Sequence, residues 1–270
     1  MENKKVVIVT GAANGIGKAV ALKFATNGYA LALVDIEAEG LNNLKIKLEE
    51  LRCDFLCIQG DLQDEHFINT IIEKTIDKWN RIDVLINNAV WRTLETMRSI
   101  SLKDWEKTLR ICLTAPAFLA KHTAAVMEEK GIPGVIINIS STMSQRAGGN
   151  SPAYVTSKGG IESLTYELAV LYGPKGIRVI AVNPGNIQTN LTSDYTDEIG
   201  NNISGRLGDH MNDNTPLQRK GTPEEIANVS YWLSTNESSF ITGTSILVDG
   251  GFFHNFSAYQ MKKLQFPKEF

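Results

Sequence analysis

A tyrosine and a lysine stand one helical turn apart in the segment SPAYVTSKGG. Ser151 can cap a helix whose first residue is Pro152, so Tyr154 and Lys158 fall at positions i and i+4 of one helical face. A phenol with an ordinary pKa of about 10 is a poor base at neutral pH, but a neighbouring ammonium group favours the phenolate and lowers that pKa. The spacing therefore predicts a site in which the tyrosine moves a proton and the lysine supplies the electric field.

A glycine-rich turn, TGAANGIGKAV, separates a β-rich run from a helix-compatible run near the N-terminus. Gly11, Gly15 and Gly17 would let the backbone approach a pyrophosphate, whose charge is stabilised by free amide groups at the helix N-terminus. Glycines needed only to pack a tight turn would form the same cluster. Because the cluster follows a strand and opens a helix within a βαβ unit, dinucleotide binding is favoured.

An acidic residue follows at the end of the second β-rich run, ALALVD. This residue, Asp35, comes 18 residues after Gly17, where a dinucleotide-binding unit places the carboxylate that accepts hydrogen bonds from the adenosine ribose. Such a carboxylate repels a 2′-phosphate, and no arginine follows closely, so NAD is predicted over NADP. The alternative is a solvated aspartate at a strand end.

These segments belong to a chain that alternates short β-rich runs with longer helix-compatible stretches. The alternation is typical of an α/β fold with helices on a parallel sheet, and it predicts about seven strands. No linker, charge block or repeat interrupts it, so we expect a single domain. The polar segment 190–220 is the exception, and we interpret it as a lid, with a disordered surface insertion as the alternative.

Composition narrows the function classes of this 270-residue chain. With 43% hydrophobic and 21% charged residues and a formal net charge of −3, it shows no bias toward nucleic acid or anionic membranes. No segment supplies the roughly 20 apolar residues of a membrane span, so we expect a cytoplasmic location and no membrane partner. The three cysteines lack CxxC or zinc-type spacing, which indicates reduced thiols and no metal site.

Several motifs follow one another in a specific order: Thr10-Gly11-x-x-x-Gly15-x-Gly17, Asn87-Asn88-Ala89, Ser141, Tyr154-x-x-x-Lys158, Asn183-Pro184-Gly185 and ITGTSILVDGG. Over residues 4–251 this order resembles the short-chain dehydrogenase/reductase family. The resemblance implies one Rossmann-like, doubly wound α/β domain at 1–251, with a seven-stranded parallel sheet in the order 3-2-1-4-5-6-7. It also implies hydride transfer between NAD and an alcohol or carbonyl group.

The resemblance assigns roles to individual residues. Ser141 would hold the substrate oxygen, Tyr154 would act as general base in oxidation and general acid in reduction, and Lys158 would bind the nicotinamide ribose. The implied cofactor contacts are Gly11, Asn14, Gly15, Ile16, Gly17, Asp35, Asp61, Leu62, Asn88, Tyr154, Lys158, Ile187 and Thr189.

Two residues depart from the family pattern. Val90 stands where the family usually has a glycine after Asn-Asn-Ala, which places a β-branched side chain close to the expected cofactor. Cys112 stands where the family has an asparagine that helps to hold a water of the proton relay. Because a thiol is a weak hydrogen-bond partner, we expect a rerouted or compensated relay rather than a nucleophilic cysteine.

Polar residues dominate the loops that would face the substrate in this fold. They include Trp91, Arg92, Gln145, Arg146, Asn150 and Gln188. This set favours a secondary alcohol or ketone on a sugar, polyol or hydroxy acid over a steroid or long acyl chain, although both arginines could be exposed salt-bridge formers. Two alternatives remain: an NADPH-linked 3-oxoacyl reductase and a weakly catalytic NAD-binding regulatory protein.

Two features concern assembly. Segments Leu102 to Lys130 and Pro152 to Gly173 match the helices through which the family usually dimerises, and the resemblance implies a homotetramer. The tail 252–270 carries the aromatic residues Phe252, Phe253, Phe256, Tyr259, Phe266 and Phe270. Because such a cluster is unfavourable in water, we expect the tail to pack at a subunit interface, with a frayed terminus as the alternative.

Overall fold

Seven parallel strands form the central sheet of the computed structural model. They are β1 (Val6–Thr10), β2 (Ala30–Asp35), β3 (Phe55–Gln59), β4 (Val84–Asn87), β5 (Val135–Ile139), β6 (Arg178–Pro184) and β7 (Thr244–Val248). Their order, β3-β2-β1-β4-β5-β6-β7, confirms the predicted fold class and topology. The structure describes residues 4–197 and 199–270, so residues 1–3 of the expected domain and residue 198 of the expected lid lie outside it.

Helices cover both faces of this sheet. In the described residues they are α1 (Gly15–Thr26), α2 (Ala38–Glu50), α3 (Glu65–Trp79), α4 (Leu102–Leu109), α5 (Ala115–Lys130), α6 (Pro152–Tyr172), α7 (Ser204–Asp213), α8 (Pro223–Leu233) and α9 (Tyr259–Gln265). Strand β1 is buried along its whole length, which explains its unbroken apolar sequence. Val7 and Val9 pack in one core with Phe24 of α1, whereas Ile8 packs in the other with Leu119 of α5.

A crevice opens where the strand order reverses. The chain runs from β1 outward through β2 and β3 and then returns to β4 on the other side of β1. The connections that leave the carboxyl ends of β1 and β4 run in opposite directions and leave a crevice between them. Open α/β sheets bind their ligands in such a crevice. Gly11 follows β1 and Asn88 follows β4, so the two segments lie at the same edge of the sheet.

Two helical segments differ in detail from what the sequence predicted. The run from Leu102 to Lys130 is interrupted by one turn of π-helix at Arg110–Thr114, which contains Cys112. Ser151 precedes α6, but its side chain makes no capping bond. Its Oγ instead donates to the carbonyl oxygens of Asn150 at 2.7 Å and Thr93 at 3.4 Å, so the predicted side-chain cap is wrong.

The expected lid and the tail are both structured and lie against each other. The 190–220 segment contains α7 and an antiparallel bridge between Thr196 and Asn202. In the tail, the amide of Asn255 donates to the Asn214 carbonyl at 2.7 Å, and the backbone N–H of Gln260 donates to Asp213 Oδ1 at 3.0 Å. The tail is therefore packed on its own chain. None of the helices in residues 4–197 and 199–270 is both long and apolar enough to cross a membrane.

Candidate active site

The structure brings Ser141, Tyr154 and Lys158 together at the carboxyl end of β5. Ser141 follows this strand, and Tyr154 and Lys158 lie one turn apart at the start of α6. All three are buried, and all three line a cavity of about 90 Å³. Lys158 Nζ donates to the Ile139 carbonyl at 2.6 Å and lies 5.5 Å from the centre of the Tyr154 ring. The lysine is thus fixed beside the phenol.

Burial sets the protonation of this cluster. It raises the pKa of Tyr154 to about 12, against the smaller lowering effects of a hydrogen bond to Ser141 and of the Arg92 guanidinium. Burial also lowers the pKa of Lys158. The phenol therefore holds its proton at neutral pH without a ligand. Sequence reasoning did not predict the contribution of Arg92 to the phenol pKa.

A buried carboxylate, Glu162, anchors the segment that carries Ser141. Only 4% of Glu162 is exposed, and its carboxylate accepts four hydrogen bonds. The donors are Ser140 Oγ at 3.3 Å, Ser144 Oγ at 2.5 Å, Gln145 Nε2 at 2.9 Å and Asn183 Nδ2 at 2.5 Å. Sequence reasoning missed Glu162, although its position four residues after Lys158 places it on the buried face of α6.

A larger cavity of about 340 Å³ adjoins the catalytic one. Nine of the predicted cofactor residues line it: Gly11, Asn14, Gly15, Ile16, Asp35, Asp61, Leu62, Asn88 and Thr189. Ile16, Asn88 and Thr189 line both cavities, and Ile187 lines the smaller one. The two spaces are therefore adjacent, with the catalytic cluster at one end and Asp35 at the other.

The glycine turn fits a dinucleotide at this place. Gly11 and Gly15 have φ of +65° and +50°, which L-residues with a side chain rarely adopt. A Cβ on Gly17 would lie 2.0 Å from the Gly11 carbonyl oxygen, so Gly17 serves the close packing of turn and helix. Asn88 Nδ2 donates to the carbonyls of Thr10 and Gly11 at 3.0 and 3.1 Å and fixes the turn.

Carboxylates surround the far end of the larger cavity. Asp35 accepts hydrogen bonds from the backbone N–H groups of Ala13 at 2.8 Å and Glu37 at 3.0 Å. Glu37 accepts from Asn14 Nδ2 at 2.7 Å, and Asp61 lines the same cavity. Among the described lining residues, Lys107 is the single cation, and it lies 4.0 Å from the Trp91 ring. The end near Asp35 is therefore negatively charged.

Of the predicted substrate residues, Trp91 and Arg92 lie in the segment that follows β4, and Arg92 lines neither cavity. Trp91 lines the larger cavity. Arg92 Nη2 donates to the Leu191 carbonyl and to Asp194 Oδ1 at 3.1 Å, and the guanidinium lies 5.3 Å from the centre of the Tyr195 ring. Arg92 therefore connects the segment after β4 to the lid.

Gln145, Arg146 and Asn150 do not line either cavity. Gln145 donates to Glu162, and Asn150 is exposed. Arg146 Nη1 donates to the carbonyls of Phe252 and Phe253, and its guanidinium lies 4.5 Å from the Phe252 ring centre. In this structure these three side chains bind other parts of the chain or solvent rather than face a substrate.

The two departures from the family pattern lie at the site. Val90 lines both cavities. Cys112 is buried, and its Sγ donates to the Trp91 carbonyl at 3.4 Å. Burial raises the pKa of the Cys112 thiol, with the field of Lys158 opposing. The thiol is thus protonated and poorly nucleophilic at neutral pH.

Comparison with known proteins gives matches over almost the whole chain. A protein-family model described as Enoyl-(Acyl carrier protein) reductase matches residues 11–253. Cis-4-hydroxycyclohexanecarboxylate dehydrogenase of Sinomonas cyclohexanicum is 31% identical over 250 residues, covering 92% of this chain and 96% of that protein. D-threitol dehydrogenase of Mycolicibacterium smegmatis is 32% identical over 248 residues, covering 92% of each chain. The crystal structure of levodione reductase superposes with a TM-score of 0.88 at 29% identity, covering 93% of this chain and 98% of that one.

Proposed function

Because the chain belongs to the short-chain dehydrogenase/reductase family, whose members are NAD(P)-dependent oxidoreductases acting on CH–OH groups, we propose that it is an NAD-dependent dehydrogenase of a small polar alcohol. The substrate class is a sugar, polyol or hydroxy acid, and the reverse reaction reduces the ketone. The observation that carries the proposal is the buried Ser141, Tyr154 and Lys158 cluster in a cavity that adjoins the glycine-turn cavity.

NAD rather than NADP is the proposed cofactor. Gly11, Gly15 and the N-terminus of α1 would hold the pyrophosphate, and Asp35 would bind the adenosine ribose. The neighbouring carboxylates of Glu37 and Asp61 would repel a 2′-phosphate. When bound, nicotinamide accepts a hydride during oxidation and donates one during reduction.

The side chains of this chain would manage the proton. In oxidation, the hydroxyl of Ser141 hydrogen-bonds the substrate oxygen, and Tyr154 takes the hydroxyl proton as the C–H hydride leaves. One alcohol thus yields one ketone, one reduced cofactor and one proton. Tyr154 must lose its own proton first, and the Arg92 field and the Ser141 hydrogen bond both favour this loss. In reduction the same phenol returns the proton to the carbonyl oxygen.

We further propose a homotetramer in which the tail 252–270 packs at a subunit interface. Within the single chain Phe256 is fully exposed, and Met261 and Leu264 of α9 are mostly exposed. An apolar surface of this kind is typical of a contact with another protein surface.

A screen of NADH formation tests the proposed function. The purified chain is supplied with NAD or NADP and with a panel of sugars, polyols, hydroxy acids, hydroxysteroids and 3-hydroxyacyl thioesters. We expect turnover with NAD on small polar alcohols. Turnover only on steroids or acyl thioesters would contradict the substrate class, and tighter binding of NADPH than NADH in a fluorescence titration would contradict the cofactor.

A further inference from the structure

Arg92 is held next to the first turn of the catalytic helix by the residues on either side of it. The carbonyl of Trp91 accepts from Cys112 Sγ at 3.4 Å, and the carbonyl of Thr93 accepts from Ser151 Oγ at 3.4 Å. Ser151 immediately precedes α6, in which Tyr154 is the third residue. The backbone of Arg92 is therefore fixed beside the catalytic tyrosine.

The guanidinium of Arg92 is buried but only partly bonded. Its side chain is 6% exposed. Nη2 makes both of its hydrogen bonds, to Leu191 and Asp194, whereas Nε and Nη1 donate to no residue of the described chain. Neither Nε nor Nη1 is sealed from solvent, so these three N–H groups can donate to a ligand. Arg92 lines neither cavity, but its Nη2 donates to the carbonyl of Leu191, which lines both, so the guanidinium lies next to the wall of the site.

The charge around the catalytic cavity favours an anion. Its described lining residues include Lys158 and no carboxylate. Asp194, the carboxylate bonded to Arg92, has a side chain that is 54% exposed and so keeps most of its hydration. The Arg92 field reaches the Tyr154 phenol, whose pKa it lowers. A ligand bearing a carboxylate would meet Lys158 in the cavity and could reach Arg92 beside Leu191.

We infer that Arg92 binds the carboxylate of the substrate and that the substrate is therefore a hydroxy acid rather than a neutral sugar or polyol. The inference rests on the proposed dehydrogenase function. A carboxylate oxygen can accept from Nε or Nη1 of Arg92 while the bond to Leu191 is kept, and the oxidisable hydroxyl then lies toward Ser141 and Tyr154. Hydrogen bonds from a guanidinium to a carboxylate are about twice as strong as those between neutral groups.

Comparing the turnover of matched substrates, one a carboxylic acid and the other its primary amide, isolates the effect of the carboxylate charge. The pairs are D-gluconate and D-gluconamide, 3-hydroxybutyrate and 3-hydroxybutyramide, and 4-hydroxycyclohexanecarboxylate and its amide, with D-glucose and D-glucitol as neutral references. We expect the acid of at least one pair to exceed its amide in kcat/KM by roughly 10- to 100-fold. Preference for the amides or for the neutral references would overturn the inference while leaving the proposed function intact. No turnover of any alcohol in the wider screen would remove both.

Four variants separate recognition of the carboxylate from lid closure. Arg92→Gln should reduce the acid-to-amide ratio to near one, and Arg92→Lys should restore part of it. Arg98→Gln removes an exposed charge from the same loop and should leave the ratio unchanged. Asp194→Asn breaks the ion pair with Arg92 and should keep or lower the KM for the acid. If Arg92 only latches the lid, Asp194→Asn and Arg92→Gln raise the KM for acid and amide alike, which would overturn the inference.

A binding measurement gives a readout independent of turnover. Calorimetry with cyclohexanecarboxylate and cyclohexanecarboxamide in the presence of NADH should show tighter binding of the carboxylate, and Arg92→Gln should remove the difference. Equal affinities in the parent protein would overturn the inference.

Discussion

At the scale of single residues, Tyr154, the proposed general base, lies in an environment that keeps its hydroxyl protonated. Burial raises the Tyr154 pKa to about 12, and the Ser141 hydrogen bond lowers it only in part. In the unfolded chain the phenol titrates near its ordinary value of about 10. Between these two values the unfolded state loses a proton that the folded state keeps, so stability falls as pH rises through this window. Oxidation, which needs the phenolate, should instead become faster with rising pH.

The variant Ser141→Ala tests how Ser141 affects the pKa of Tyr154. Removing a hydrogen bond that lowers the phenol pKa leaves Tyr154 harder to deprotonate, so we expect the ascending limb of kcat/KM against pH for alcohol oxidation to move to higher pH. We also expect kcat to fall by about 10²-fold, since the substrate oxygen loses its donor. Ser163→Ala, an exposed change on the same helix, is the control. A limb that moves to lower pH would contradict the assignment.

Glu162 gives a second prediction at this scale. Glu162→Gln replaces one acceptor oxygen by an NH₂ group, which then faces either the three donors at Oε1, from Ser140, Ser144 and Asn183, or the Gln145 donor at Oε2. We expect a loss of about 1–3 kcal/mol in the free energy of unfolding and a lower kcat, because Ser141 is no longer held. Urea denaturation and steady-state kinetics measure the two effects. Glu167→Gln, exposed on the same helix, should change neither, and a Glu162→Gln variant with parental kinetics would contradict the anchoring role.

At the scale of elements, the π-turn Arg110–Thr114 determines where Cys112 lies. The wider turn lies within the helical segment predicted over Leu102 to Lys130, and the Cys112 thiol in it contacts the Trp91 carbonyl. A π-turn adds one residue to a helical turn, and the periodicity of apolar residues in the sequence does not reveal this insertion. The glycine turn, by contrast, was predictable, because only glycine fits a positive φ followed by close turn-to-helix packing.

Gly17→Ala tests this element. The added Cβ would lie 2.0 Å from the Gly11 carbonyl oxygen, so the turn must shift. We expect NADH affinity, measured by fluorescence titration, to fall by at least about tenfold, since the backbone amides no longer meet the pyrophosphate. Gly173→Ala meets no atom within 4 Å and should bind NADH as the parent does. Equal NADH affinities of the two variants would contradict the proposed binding of the pyrophosphate by the glycine turn.

At the scale of the whole molecule, the sequence predicted the sheet but not the contacts between distant segments. The alternation of runs predicted a parallel sheet of about seven strands, and the resemblance of the motifs to the family implied the strand order. The motifs also included Ser141, Tyr154 and Lys158, which line one cavity in the structure. Arg146 and Gln145 were assigned to the substrate because their loop follows Ser141. Their bonds to the tail and to Glu162 join residues far apart in sequence, which the sequence pattern does not reveal.

Deleting residues 256–270 tests the role of the tail. The deletion removes α9 and the hydrogen bond from the Gln260 backbone N–H to Asp213 in the 190–220 segment. It keeps the contacts of Arg146 with Phe252 and Phe253. We expect a lower melting temperature, a smaller assembly in light scattering and a higher KM for the substrate. The point variant Phe256→Ser should reproduce the assembly effect alone, since this ring is exposed in the single chain. If the deletion leaves all three quantities unchanged, the tail has no part in assembly or lid position.

The most direct test of the central claim is the turnover of Tyr154→Phe measured beside its NADH affinity. The variant keeps the ring and its packing but removes the hydroxyl that moves the substrate proton. We predict that kcat for alcohol oxidation with NAD falls by at least about 10³-fold, while the Kd for NADH changes by less than about threefold. A Tyr154→Phe enzyme that binds NADH normally and keeps the parental kcat would contradict the proposed dehydrogenase mechanism.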